Sequence, residues 1–414
     1  MEVSTNWKRR ITAFLISQGI TLFGSSLVQM AIIWHVTLET SSGKWVAALT
    51  LSAFVPQMVI SLFAGVLADR YNRKYLIIAA DVGIAVATLI LFLFLITNNS
   101  SQNNLISILI ISIVRSLGAG IQSPAVSSIV PQLVPEEKLI RINGINGSLQ
   151  SIIQFGAPAA AGVILTTGSF SNILLIDIIT AMVGIVILFF IDIPGHNVVE
   201  MNVQSGIFKE MKSGIQFAMN DKLIGRLLLI YGVFIFLCIP SGFLTPLLIG
   251  RLFGYNYMYL SVNEMIGCAG MALGGLLIGI WGGFNNRIKT LAFGIGIYAA
   301  FSIALGLLKD FIGFAIIIFI MSLAIPIAQT AVITLLQEKV APDMQGRVFS
   351  LLSIMFTGFL PLGMLVFGPL ADTISISSMI MVAGTLLILF SISIPVQKDF
   401  FALGIFNSEI ETLE

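Results

Sequence analysis

The sequence predicts an all-α integral membrane protein with twelve transmembrane helices, arranged as two repeated six-helix bundles. Three observations predict this fold class: an apolar composition, twelve apolar stretches of membrane-spanning length, and an internal repeat. The chain of 414 residues is 57% hydrophobic and 10% charged, with a mean hydropathy of +1.01. Soluble domains carry about 25% charged residues, so this composition is typical of a surface that faces lipid. A net charge of +1 argues against a nucleic-acid partner, because the sequence has no basic stripe to neutralise phosphates.

The apolar stretches are predicted to be membrane spans, because crossing a bilayer requires about 20 mainly apolar residues in a helix. The first stretch is too long for a signal-peptide core, so it is interpreted as a spanning helix. No polar segment is long enough for a separate soluble domain. The predicted spans cover residues 11–38, 45–68, 75–97, 104–130, 142–167, 171–193, 223–250, 257–283, 288–308, 311–336, 347–371 and 375–396.

The distribution of lysine and arginine predicts the orientation of these spans. Of the 21 basic residues, Arg115 lies within a span and three lie in one set of alternate loops, so 17 remain for the opposite set. By the positive-inside rule, the 17 mark the cytoplasmic side, and both termini lie there. The predicted organisation is an N-terminal bundle at 1–193, a cytoplasmic linker at 194–222, a C-terminal bundle at 223–397 and a cytoplasmic tail at 398–414.

The internal repeat pairs each half of the chain with the other. The Gly, Asn and Arg of Gly65–Arg73 recur in the same order in Gly279–Arg287, and Ser116–Arg141 matches Ser322–Arg347. Each match joins a span to the span six places later with the same orientation, as in transporters built from duplicated halves. The copies differ in charge at two matched pairs: Asp69 with Gly283, and Arg115 with Met321.

The loop beginning at Gly65 reads Gly-x-Leu-Ala-Asp-Arg-x-x-Arg-Lys and resembles the signature loop between helices 2 and 3 of the major facilitator superfamily of secondary transporters. The family usually has a second glycine where Asn72 stands, and Asn is the residue that next best tolerates a left-handed backbone. The resemblance implies the major facilitator fold, with Asp69, Arg70 and Arg73 latching the cytoplasmic side when the carrier opens outward. Alternatively, these charges only mark a cytoplasmic loop.

Arg115 lies inside the fourth predicted span, where a charge costs about 2.5–3.5 kcal/mol on insertion scales. On a helix it shares a face with Gly118 and Gln122. The stretch resembles the family's helix 4 signature, an arginine followed by closely spaced glycines, with Gly118 and Gly120 one place earlier than usual. The resemblance implies that Arg115 lines the central cavity and binds substrate or couples to protons. The alternative is an arginine buried in a fixed ion pair.

Three acids also fall within predicted spans. Glu264 is on span 8, whose equivalent in the family lines the cavity, so it is the candidate for proton exchange; alternatively, its carboxyl only bonds a neighbouring helix. Asp81 and Asp177 are on spans 3 and 6, which are peripheral in this fold, so a packing or helix-bonding role is expected for them. His35 and Glu39 are predicted to be interfacial, and this pair supplies too few ligands for a metal site.

Span 5 has two features of interest. Gln150 and Gln154 fall on one helical face, where amides can line a cavity or bond helices together. Further along, the stretch from Gly156 through Pro158 to Gly162 resembles the span 5 motif associated with antiporters of the superfamily, which implies export. The alternative is that small residues around a proline only allow close packing and a bend.

Enzyme chemistry and cofactor binding are not expected. The sequence has no nucleophile elbow, phosphate loop or cysteine–histidine cluster. Cys238 and Cys268 lie in separate apolar runs and are predicted to be buried thiols rather than a disulfide or metal site.

Several short blocks resemble the bacterial macrolide efflux branch of the superfamily. This resemblance implies proton-driven export of lipophilic drugs from a bacterial plasma membrane, with a lipophilic small molecule, protons and the lipid bilayer as partners. One alternative is an exporter of a specific physiological compound, such as a siderophore or lipid; another is a receptor or channel without coupled transport. The blocks lie at residues 6–9, 29–33, 134–137, 148–152, 337–339 and 346–351.

Overall fold

The computed structural model describes residues 7–97, 101–193, 221–340, 342–402 and 404. Within these ranges the chain forms fourteen α-helices and one short 3-10 helix, Glu136–Lys138. The α-helices are α1 Trp7–Thr40, α2 Gly43–Arg70, α3 Arg73–Thr97, α4 Ser101–Leu133, α5 Leu139–Thr167, α6 Phe170–Phe190, α7 Lys222–Gly242, α8 Thr245–Phe253, α9 Tyr257–Trp281, α10 Arg287–Leu307, α11 Phe311–Lys339, α12 Pro342–Leu370, α13 Ile376–Val396 and α14 Lys398–Ala402.

Twelve of the described segments are long and apolar enough to cross a membrane, and each overlaps one predicted span. The prediction of twelve spans is therefore confirmed. The seventh span is not one continuous helix, because it divides into α7 and α8 between Gly242 and Thr245. Pro246 lies in the first turn of α8, and its missing N–H cannot continue the hydrogen-bond ladder of α7.

Helix packing follows the same pattern in each half of the chain. In the first half, α3 packs against α4 and α6, and α1 packs against α5 and α6. In the second half, α10 packs against α11 and α13, and α7 packs against α12 and α13. Each pair in the second set corresponds to a pair six spans earlier. The repeat that the sequence predicts is thus present in the packing of the helices.

Contacts divide the chain into two compact units. The first helical turn of α2 belongs to the second unit, and the first residues of α9 belong to the first unit. The first unit comprises Met1–Ser41, Ala48–Asn202 and Tyr255–Val262, and the second comprises Ser42–Ala47, Val203–Gly254 and Asn263–Glu414. The predicted bundle boundaries at 193 and 222 stay a prediction.

An apolar core closes one end of the first unit. It brings together the first turns of α1 and α3 with the last turns of α4 and α6. Phe14, Ile77, Ile129 and Leu188 are each fully buried there. This end carries the loops that the distribution of basic residues assigns to the cytoplasm.

In the second unit, polar side chains fix the starts of four helices by accepting hydrogen bonds from unpaired backbone N–H groups. Asn286 also holds the C-terminal segment, because its Nδ2 donates to the carbonyl of Phe401 at 2.7 Å. Phe400 of α14 is buried, so the start of the predicted tail packs against the unit. The capping side chains and their first backbone donors are Asp221 with Leu223, Asn286 with Ile288, Asp310 with Gly313 and Ser375 with Ser378.

The two matched turns of the repeat have different backbones. Asn72 does not take a left-handed conformation, since Ser41 is the non-glycine residue with positive φ in the described chain. Oδ1 of Asn72 accepts a hydrogen bond from the N–H of Lys74 at 3.0 Å and starts α3. The matching turn passes through Gly282 and Gly283, with φ of 73° and 79°. Glycine adopts such angles without steric cost.

Candidate functional site

A buried ion pair lies where α1, α3, α4 and α6 meet in the first unit. Arg115 of α4 places Nη1 2.5 Å from Oδ2 of Asp177 on α6, with side-chain exposures of 6% and 1%. The hydroxyl of Thr88 on α3 donates to the same carboxylate oxygen at 3.0 Å and accepts from Arg115. Ser25 of α1 donates to the other oxygen at 3.4 Å.

This arrangement accounts for a charge that the sequence places in the membrane. The guanidinium and carboxylate compensate each other, and hydroxyl groups from two further helices donate hydrogen bonds to the two carboxylate oxygens. Arg115 therefore has the geometry of the fixed-pair alternative. Its predicted role in substrate binding or proton coupling stays a prediction.

A second polar contact joins α3 and α4 two turns away. Nε2 of Gln122 donates to Oδ1 of Asp81 at 2.6 Å, and Asp81 is 1% exposed. Asp81 and Thr88 are seven residues apart on α3, as Arg115 and Gln122 are on α4. The two antiparallel helices are thus joined by two polar links, each involving an acid.

The helix 4 glycines allow this close packing. A Cβ atom at Gly118 would lie 2.6 Å from Cγ1 of Ile84 on α3. A Cβ atom at Gly120 would lie 2.3 Å from Cγ2 of Ile60 on α2. Both distances are too short for a real side chain, so the glycines that resemble the family signature set the spacing of α4 against two neighbours.

The other predicted cavity residues do not join this centre through any contact described for them. Gln150 and Gln154 are exposed on α5, and Glu264 is partly buried on α9. Glu264 belongs to the second unit, whereas Arg115 and Gln122 belong to the first. Arg115 and Gln122 share a helix but contact different acids.

The basic residues after α2 hold helix ends within the first unit. Nη1 of Arg73 donates to the carbonyl of Ser128 on α4 at 2.8 Å. Nζ of Lys74 donates to the carbonyls of Phe189 and Ile191 at the end of α6, at 2.7 and 2.8 Å. The surroundings of the three other predicted latch residues, Gly65, Asp69 and Arg70, lie outside the described part of the chain.

The antiporter-like stretch of α5 packs against α9. Ser261 of α9 donates its hydroxyl to the carbonyl of Pro158 at 2.9 Å. A Cβ atom at Gly162 would lie 2.3 Å from Cβ of Ser261, so this glycine is required for the helix contact. At Gly156, the nearest atom to such a Cβ is 3.9 Å away on Phe23. Gly162 and Pro158 therefore pack closely against Ser261 of α9, whereas Gly156 has no comparably close neighbour.

His35 takes part in an aromatic cluster that the sequence does not predict. Its ring stacks on Phe170 with 4.6 Å between centroids, and its Nδ1 lies 3.2 Å from the hydroxyl of Tyr257. The Tyr257 hydroxyl also lies 2.9 Å from that of Tyr255. In the described residues, no group of three or more His, Cys, Asp or Glu side chains could hold a metal ion. Cys238 and Cys268 are partly buried free thiols.

Sequence reasoning missed Asp372, which follows α12 and caps the start of α2. Its Oδ1 accepts from the N–H of Gly43 at 2.6 Å and from Nη2 of Arg251 at 3.2 Å. Its Oδ2 accepts from the hydroxyl of Ser42 at 2.9 Å and the N–H of Lys44 at 3.1 Å. All five residues belong to the second unit.

The electrostatics of Asp372 follow from these donors. Burial by itself would raise the pKa of the carboxyl, but the four donors stabilise the carboxylate and lower the pKa below its ordinary value of 3.8. The one local signal in the sequence is an acid directly after an apolar span. Its partners at the start of α2 are about 330 residues away in the chain, so no local pattern could identify them.

Comparison with known proteins places the chain among membrane transporters. The family model described as Major Facilitator Superfamily matches residues 11–363. Macrolide efflux protein A of Streptococcus pyogenes is 30% identical over 401 residues, which cover 96% of this chain and 98% of that protein. Macrolide efflux protein A of Enterococcus faecalis is 30% identical over 321 residues, covering 77% and 98%.

A solved structure supports the fold. The crystal structure of a D-xylose–proton symporter superposes with a TM-score of 0.69 at 13% identity, covering 93% of this chain and 97% of that chain. At this identity the likeness concerns the fold alone. The family match and the identity to the efflux proteins extend over most of the chain. Together with the twelve segments of membrane-spanning length, they show that the protein is a multi-pass membrane transporter and not an enzyme. The chain belongs to the Major Facilitator Superfamily.

Proposed function

We propose that this transporter exports lipophilic drugs, macrolide-like antibiotics included, in exchange for protons by alternating access. The observation that carries the proposal is the 30% identity over 96% of the chain to a protein named macrolide efflux protein A. The α5 stretch around Pro158 adds support for export through its resemblance to the antiporter motif.

The proposal gives roles to the residues that the sequence singles out. Glu264 carries the proton, and Arg115, Gln122, Gln150 and Gln154 bind substrate or couple it to the proton. Among these, the exposed amides of α5 are the most accessible to a ligand, whereas Arg115 and Gln122 act through the acids that they contact. The cytoplasmic latch consists of Gly65, Asp69, Arg70 and Arg73. The packing of Gly162 and Pro158 on α9 supports a structural contribution from the antiporter-like motif, to which Gly156 also belongs.

We further propose that the protein resides in a bacterial plasma membrane with both termini and the 194–222 segment in the cytoplasm. This orientation rests on the excess of lysine and arginine in one set of alternate loops. It places the turns after α2 and α9 on the cytoplasmic side and the Asp372 contact on the opposite side.

The first experiment measures accumulation of a labelled macrolide and of a fluorescent lipophilic drug in cells, with and without a protonophore. We expect protein-dependent extrusion that the protonophore abolishes. Glu264→Gln is expected to abolish uphill extrusion, whereas Glu39→Gln, which changes an exposed acid at the end of α1, retains it. Transport of none of a broad drug panel would contradict multidrug export and favour an exporter of one physiological compound.

A further inference from the structure

Asp81 on α3 is a buried acid to which the proposed function gives no role. Its side chain is 1% exposed. Oδ1 accepts a hydrogen bond from Nε2 of Gln122 at 2.6 Å. Oδ2 is fully buried and has no hydrogen-bond partner among the described residues. Half of the carboxyl group is therefore unsatisfied in the middle of a helix bundle.

The nearby Asp177 shows what a permanently ionised acid requires here. Arg115 compensates its charge, and Thr88 and Ser25 donate hydrogen bonds to its two oxygens. Asp81 has only a neutral amide as its partner. An uncompensated carboxylate in hydrocarbon is strongly unfavourable, and a buried acid avoids this state by binding a proton.

The charged groups on the elements packed against Asp81 are already engaged. α4 contributes Arg115, and α6 contributes Asp177, which form the ion pair described above. At the start of α3 itself, Arg73 and Lys74 donate to backbone carbonyls of α4 and of the end of α6. Beyond α6, Asp192 pairs with Arg10 at 2.6 Å. Among these groups, no cation is placed to serve as a counter-ion for Asp81.

We propose that Asp81 is a second proton-binding site of this transporter, with Gln122 as its positioning residue. The carboxyl O–H bond breaks when the proton leaves to water, and it forms again when a proton returns. The negative charge that deprotonation leaves on Asp81 repels the negative charge of Asp177. Deprotonation of Asp81 thus acts on the ion pair that joins α3, α4 and α6, and couples proton release to the packing of these helices. The coupling role of Asp81 rests on the proposed proton-driven export. The assignment of Asp81 as a proton-binding site does not depend on that proposal.

Infrared difference spectroscopy on the purified protein in lipid tests the site directly. We expect the carbonyl band of a protonated carboxylic acid to disappear reversibly as the pH is raised. Asp81→Asn is expected to remove the part of this band that Asp81 contributes, while Asp192→Asn, which changes an exposed acid at the end of α6, leaves the whole band in place. Asp81→Glu is expected to keep a titrating band at a shifted frequency. This variant replaces Asp81→Asn in the test if the Asn variant does not fold. A spectrum that Asp81→Asn leaves unchanged would overturn the proposal.

Transport in liposomes tests the coupling. With a proton gradient, Asp81→Asn is expected to lose uphill movement of the fluorescent drug but to retain downhill movement along the drug's own gradient. Loss of both, or of neither, would contradict a coupling role. If the wild-type protein shows no protonophore-sensitive drug movement, the proposed export fails, and the infrared titration still decides whether Asp81 binds a proton.

Discussion

Arg115 and Asp177 each depend on the other for charge compensation. Arg115→Met removes the cation and leaves the carboxyl of Asp177 buried without its counter-ion, which we expect to lower the free energy of unfolding by about 3–5 kcal/mol. The double variant Arg115→Met with Asp177→Leu is expected to recover most of this loss, because a buried pair replaced by apolar residues of similar volume is often neutral. Thermal unfolding of the purified protein in detergent measures both effects.

The same variants separate structure from transport. If the double variant is as stable as the wild type but exports no drug, Arg115 acts on substrate or protons in addition to its structural role. If Arg115→Met alone is as stable as the wild type, the ion pair does not provide the stabilisation that we assign to it.

Asp372 provides a pH-dependent contribution to stability. Its carboxyl has a lower pKa in the folded state than the ordinary 3.8, so the folded state favours the ionised form. The resulting stabilisation is fully present above about pH 5 and is lost as the pH falls through the lowered folded pKa. Asp372→Ala is expected to cost about 1 kcal/mol at neutral pH, through loss of the cap on α2.

The measurement is the difference in thermal midpoint between the wild type and Asp372→Asn from pH 7 to pH 3. The Asn variant keeps a hydrogen-bond acceptor but has no charge to titrate. We expect the difference to be constant near neutral pH and to shrink below 3.8. A difference that stays the same down to pH 3 would contradict the linkage.

The sequence identifies Arg115 as unusual but not its partner. A charge within an apolar stretch is visible locally, so the two alternatives of a cavity charge and an ion pair could be stated. Asp177 is 62 residues away, and only the packing of α4 and α6 against α3 shows that the two meet. Asp81 was expected to bond a neighbouring helix, and it accepts a hydrogen bond from Gln122 of α4. The unsatisfied oxygen of Asp81 depends on tertiary structure and could not be predicted.

At the scale of helices, prediction succeeds where the signal is local. Length and hydropathy determine a span, so all twelve segments agree with the sequence. Details of the backbone are not visible in the sequence. The seventh span divides into α7 and α8 at Pro246, and Asn72 starts α3 through its side chain.

The contact between α5 and α9 depends on the absence of a side chain at Gly162. We expect Gly162→Ala to separate the helices and weaken the hydrogen bond from Ser261 to Pro158, with lower thermal stability and less drug export. Gly156→Ala is the matched control on the same helix, because the nearest atom to a Cβ there is Cε2 of Phe23 at 3.9 Å. Alanine also favours a helix over glycine by about 1 kcal/mol, so the control is expected to be neutral or stabilising.

Thermal unfolding and drug accumulation are measured for both variants. Equal behaviour of Gly162→Ala and Gly156→Ala would show that the close approach to Ser261 is not required. Loss of export in both, with normal stability, would instead assign the whole stretch a direct part in transport, as its resemblance to the antiporter motif implies.

At the scale of the whole molecule, two independent signals agree on a duplicated transporter. The helix pairs of the first half recur six spans later, and the family model covers residues 11–363. Neither signal depends on a single residue. The substrate, by contrast, is decided by the few side chains that line a cavity, and apolar residues in long spans do not identify it from the sequence.

The orientation in the membrane is also a property of the whole chain, and two exposed lysines test it. Lys309 lies between α10 and α11 on the predicted outer side, and Lys138 lies between α4 and α5 on the predicted cytoplasmic side. In a protein with Cys238 and Cys268 replaced by alanine, Lys309→Cys is expected to react with a membrane-impermeant maleimide in intact cells. Lys138→Cys is expected to react only after the cells are permeabilised. The reverse labelling pattern would show that the orientation is opposite to the proposed one. The turn after α2, with its proposed latch, would then lie outside the cell.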